Sequence, residues 1–174
     1  MSKPYPDVLA LSRTVLRIVI KLNLLMGVFI VALLFASLIW ESFVMRALGV
    51  RAADSYPALL VGLRLIMGIG ICGVPVVHFV LTQLLAIVES VSIGNPFVRA
   101  NAARLQAIAW ALLALELMNI AVSAIAARVS SATVPLHFKY DFSLTPWLAV
   151  LLLFVLARVF EQGAHMREDL EGTV

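Results

Sequence analysis

Arg64, His78, Thr82 and Glu89 lie along one apolar stretch of this chain, and Glu116, Asn119 and Ser123 lie along the next. On a helix turning about 100° per residue, the first four fall within roughly 40° of one another and form a polar stripe. The second set, at i, i+3 and i+7, forms another. A guanidinium, an imidazole and a carboxylate in apolar surroundings could pair, carry a proton or ion, or bind a polar ligand. Arg64 lies roughly 10 Å from one end of its stretch at 1.5 Å per residue, and Glu116 lies about three turns from Arg128. Antiparallel neighbours would set the two level, so the sequence predicts facing stripes and an Arg64–Glu116 pair. Structural pairing, sensing and transport all stay open at this point. A lone His78 does not make a two-histidine haem site, since His137 and His165 are predicted at opposite faces. No metal-ligand spacing, no nucleophile with a base and no phosphate-binding glycine loop is found. The expectation is a non-enzymatic protein with no cofactor or metal.

These residues need elements to position them, and composition names the solvent. Of 174 residues, 63% are hydrophobic and only 13% charged, with mean hydropathy +1.04. Apolar stretches fill about 20–41, 58–88, 102–127 and 146–163, each long enough to cross a bilayer. The chain therefore reads as one domain, an all-α integral membrane bundle of four transmembrane helices with a short tail at 164–174. Its net charge of +3 bears on orientation in a membrane and argues against direct nucleic-acid binding.

Orientation follows from Lys and Arg. Lys3, Arg13, Arg17, Lys21, Arg99, Arg104, Arg158 and Arg167 fall on one side, against Arg46, Arg51, Arg128 and Lys139 on the other. The positive-inside rule puts both termini in the cytoplasm. Arg13, Arg17 and Lys21 at i, i+4 and i+8 share a helical face and are expected to snorkel at the inner leaflet. The first span is too long for a signal-peptide core, and bulky residues end it, so it reads as an uncleaved anchor.

Local signals refine the elements. Gly62, Gly68, Gly70, Gly73 and Pro75 are expected to weaken or kink the second span. Gly68 and Cys72 form a small-xxx-small pair suited to close packing, with Cys72 as a small buried thiol. Gly94 is expected to end the second helix, with Asn95 as N-cap and Pro96 as first residue of the third. Thr145-Pro146-Trp147 repeats that device before the fourth. Between the third and fourth spans, His137, Phe138, Tyr140 and Phe142 form an amphipathic patch suited to the outer interface. The fourth helix is apolar to Ala157 and then turns polar through Arg158, Glu161, Gln162 and His165. It is expected to continue out of the bilayer toward an acidic end that could dock a basic partner.

Two segments carry a resemblance. Asn95-Pro96-Phe97 followed by Asn101, Arg104 and Leu105 is one. The other is the ending Phe160-Glu161-x-Gly163-x-x-Met166-Arg167-Glu168-Asp169-Leu170-Glu171-Gly172-Thr173-Val174. Together they resemble the bacterial family catalogued as domain of unknown function 2975. The resemblance implies a four-helix protein of the inner (plasma) membrane, often encoded beside a small cytoplasmic helix-turn-helix regulator, with no activity attached. It adds a candidate cytoplasmic docking surface of Asn95, Pro96, Phe97, Asn101, Arg104, Arg158, Glu161, Arg167, Glu168, Asp169 and Leu170. Arg99 and Arg104 are expected to pair there with Glu161, Glu168 or Asp169. The leading expectation is a membrane partner, tether or sensor for such a regulator. Alternatives are a small ion-coupled transporter, working as a homo-oligomer, and an accessory subunit of a larger membrane complex that packs through the alanines of the third helix (Ala107, Ala111, Ala114).

Overall fold

The computed structural model describes the backbone of residues 5–40, 56–129 and 143–171, and the side chains of 8–40, 58–129 and 143–167. Four helices account for nearly all of it: α1 (Tyr5–Ile39), α2 (Tyr56–Ser92), α3 (Arg99–Val129) and α4 (Thr145–Glu171). All four are long and apolar enough to cross a membrane. At 1.5 Å per residue they run to about 52, 55, 46 and 40 Å, against about 30 Å of hydrocarbon. The excess explains why the basic lead-in is the first turns of α1 and why α4 carries its polar face onward. The patch at His137, Phe138, Tyr140 and Phe142 lies outside the described residues.

Each helix packs against the next. Among the described residues no Cα of α1 comes within 8 Å of α3 or α4, and none of α2 reaches α4. The packing is thus an open row in chain order, not a ring closed by α1 against α4. α3 is held on both sides, and small side chains let it be. Ala102, Ala109, Ala111 and Ala126 are buried along it. Ala111 joins Val80 and Ile108 in a cluster that Leu84, Leu112 and Leu153 close. The alanines thus serve packing inside the chain. Apolar side chains elsewhere, such as Leu25, Phe29, Leu151 and Leu152, point outward, as lipid-facing residues do.

Two close approaches fix the register, and neither is the expected one. A Cβ on Gly27 would sit 2.9 Å from Val74 Cγ1, and one on Gly62 would collide with Val129. At Gly68 nothing lies within 4 Å. Cys72 is exposed and not a buried thiol. Both line an open groove of about 550 Å³ with Arg64, Leu65, Leu117 and Met118. α2 runs unbroken through Pro75. The ring removes one backbone donor there, and the Asn23 amide of α1 donates to the neighbouring Val74 carbonyl at 3.1 Å.

The α2–α3 turn also corrects its expectation. Gly94 has φ of 88°, the left-handed conformation that glycine adopts without steric cost. Its N–H donates to Val91 O at 3.0 Å, and that of Asn95 donates to Ser90 O at 3.1 Å. This pair of bonds is the Schellman ending. Asn95 therefore completes the end of α2 and does not cap α3, which starts at Arg99 with Asn101 N–H donating to Val98 O at 2.9 Å. At α4 the Ser143 hydroxyl accepts from the Thr145 N–H at 3.3 Å, so the capping oxygen is Ser143 and Pro146 sits inside the first turn.

Candidate functional site

The polar residues concentrate where α1 begins, α2 turns into α3 and α4 ends. Asn101 is the centre, with none of its surface exposed. Its amide nitrogen donates to Ser90 Oγ at 2.6 Å and to Pro96 O at 2.8 Å. Its oxygen accepts from Arg104 Nη1 at 2.8 Å. Ser90 Oγ passes the chain on to Ile87 O at 2.7 Å, and Arg104 Nη1 also reaches Ala86 O at 3.4 Å. One side chain thus ties the end of α2, the turn and the start of α3. An amide is the group that fits, because it donates twice and accepts at the same time.

The turn is then fastened to α4. The Phe97 ring lies 5.2 Å from that of Phe160 between centroids, and a Cβ on Gly163 would stand 3.0 Å from Phe97 Cδ1. Gly163 is the seat for that ring. Arg167 Nη1 donates to Asn95 Oδ1 at 3.0 Å, and Arg99 Nη2 lies 3.3 Å from His165 Nδ1. The two motifs, more than 60 residues apart in sequence, form one latch. Arg104 and Glu161 take partners other than those expected. Arg104 turns toward α2, and Glu161 takes Arg158 at 2.6 Å on its own helix. The side chains of Glu168, Asp169 and Leu170 lie outside the described residues.

Residues 20–174 match the family described as protein of unknown function (DUF2975). The chain belongs to that family. No curated protein and no solved structure matches it.

The intramembrane residues of this DUF2975 chain are arranged otherwise than the sequence predicts. Gly62 meets Val129 and Ser90 meets Asn101. That register sets Arg64 level with Ala127 and Glu116 level with Pro75, roughly 16 Å apart along the axis at 1.5 Å per residue. Two residues of the α2 stripe, Arg64 and Glu89, reach α1. Arg64 Nη2 donates to Ser37 O at 2.7 Å, and its Nε lies 3.3 Å from Ser37 Oγ. Glu89 sits 3.7 Å from Arg17, and Arg13 donates to Ser92 Oγ. Thr82 bonds Phe79 O of its own helix at 2.8 Å. His78 Nδ1 is buried with no hydrogen-bond partner among the described residues. Glu116 and Ser123 are half-buried and Asn119 is exposed. Sequence reasoning passed over Asn23, Ser37 and Ser90. Each is a short polar residue within or beside an apolar run, and that placement is the signal that could have found them.

Proposed function

We propose that the protein is a non-enzymatic inner-membrane tether or sensor whose latch end faces the cytoplasm and docks a helix-turn-helix transcription regulator. One observation carries this reading. The latch holds a turn and a helix extension together, and leaves apolar side chains open on them. Ile93 is 78% and Met166 62% exposed, beside the Asn95–Arg167 bond. Exposed apolar residues rimmed by charge suit a protein partner. The ends of α1 and α4 that carry the termini lie at the latch, the side where Lys and Arg are in excess, which supports a cytoplasmic placement.

The test is co-purification of full-length protein in detergent with a co-expressed helix-turn-helix regulator. Gly163→Leu, which drives Phe97 from its seat, should lower recovery at least about tenfold, the scale of one lost anchor contact. A chain ending at Gln162 should lose it altogether. Equal recovery from all three would overturn docking at the latch. A C-terminal reporter active in the periplasm would overturn the orientation.

A further inference from the structure

A cleft of about 280 Å³ opens between α3 and α4 beside the latch. Arg99, Gln106, Arg158, Glu161 and His165 line its polar wall. Its floor is apolar, made by Ala102, Ala103, Phe154 and Ala157. We propose that this cleft binds the phosphate of an anionic phospholipid, with an acyl chain running along the floor.

Charge, position and shape each support this. Glu161 Oε2 holds Arg158 Nη1 at 2.6 Å, so this carboxylate orients an arginine, and among the described lining residues two guanidiniums stand beside one carboxylate. Arg99 lies 3.3 Å from His165 Nδ1. When that nitrogen accepts from Arg99, the ring proton sits on Nε2 as a further donor. The wall also meets the first turn of α3, where the helix dipole favours an anion. α3 exceeds the hydrocarbon by about 16 Å, which sets Arg99 at headgroup depth and Gln106 near the acyl boundary. Below the floor, Trp110 is 57% exposed and meets Phe154 edge-on at 5.3 Å. A soluble phosphate has no use for such a floor, whereas a lipid does. This inference is independent of the docking proposal above.

Native mass spectrometry of the full-length protein released from detergent tests it, with phosphatidylglycerol, phosphatidylcholine of the same chains, and inorganic phosphate as probes. Phosphatidylglycerol should be retained, and phosphatidylcholine should bind at least about tenfold more weakly. Arg99→Gln and Arg158→Gln should each weaken phosphatidylglycerol about fivefold, the effect of one basic residue at an anionic headgroup. Ala103→Leu fills the cleft with every charge kept, and should weaken it as well. Arg128→Gln, at the far end of α3, should leave it unchanged. A melting curve of each variant identifies any that fail to fold, and Ala103→Leu then decides. Equal binding of the two lipids, or full retention by Ala103→Leu, would overturn the site. Displacement by inorganic phosphate at matched concentration would overturn the lipid assignment and leave a soluble anion.

Discussion

The latch end and the middle of the membrane hold similar polar residues and use them differently. At the latch, Asn101 satisfies Ser90, Pro96 and Arg104 at once, and its neighbours join three helices. In the middle, the hydrogen bonds among the described residues run between pairs of helices. Asn23 donates to a carbonyl of α2, Arg64 reaches Ser37 of α1, and His78 Nδ1 has no hydrogen-bond partner among the described residues. A network ordered in this way fixes one arrangement of the chain, whereas isolated contacts hold two helices together and leave the rest to packing. The contrast favours function at the latch over a path through the membrane, and it can be broken from either side.

The largest effect is expected at Asn101. Asn101→Ala leaves Ser90, Pro96 O and Arg104 with lost partners in a buried site, a cost of about 3 kcal/mol. Asn101→Asp keeps the size and improves the charge toward Arg104, yet removes both N–H donors. It should therefore destabilise nearly as much. Thermal unfolding in detergent measures both, and an Asp variant as stable as the wild type would show that the charge of Arg104, not the network, holds the turn.

Next come the glycines, where the sign of the change separates helix packing from open surface. Gly27→Ala pushes against Val74, short and fixed on its own helix, so the strain should exceed the roughly 1 kcal/mol that alanine adds in helix propensity. Gly68→Ala meets nothing within 4 Å and should gain most of that amount. Gly163→Ala meets a ring in a turn that can recede by a few tenths of an ångström, and the two effects should nearly cancel. Melting temperatures of the three variants should rank in the order Gly68→Ala, Gly163→Ala, Gly27→Ala.

Hydropathy and length made the four helices readable before any coordinates, because a run of about 20 apolar residues leaves the backbone few options. The latch motifs were readable as two patterns, Asn95 to Arg104 and Phe160 to Arg167, on the same side. Their joining was not, since nothing in the spacing says that Gly163 is a seat for Phe97. The pairing of Arg64 failed for a related reason. Arg64 bonds Ser37 of α1, and depth depends on the register that Gly62 and Gly27 impose; which glycine is the close contact is decided by the facing side chain. Asn95 was misread because Gly94 and Asn95 can either finish one helix or begin the next, and the two bonds back to Val91 and Ser90 choose the former.

Arg64→Met sets two opposing effects against each other and should lower stability only modestly. It loses, among other contacts, two hydrogen bonds to Ser37, each worth up to about 1.5–3 kcal/mol for a charged donor. It also removes an arginine from the membrane, which costs about 2.5–3.5 kcal/mol at mid-depth and less nearer the surface. The smallest effect belongs to Glu116→Gln. Glu116 has no hydrogen bond or ion pair with any described residue, and it lies far in depth from Arg64, so no partner is orphaned when its charge goes. Stability should stay the same or rise slightly, and co-purification of a regulator should not change. Proton or cation flux into liposomes is the decisive measurement, because a pathway through the bilayer would need this carboxylate. A flux present in the wild type and abolished by Glu116→Gln would move the function from the latch to the membrane interior.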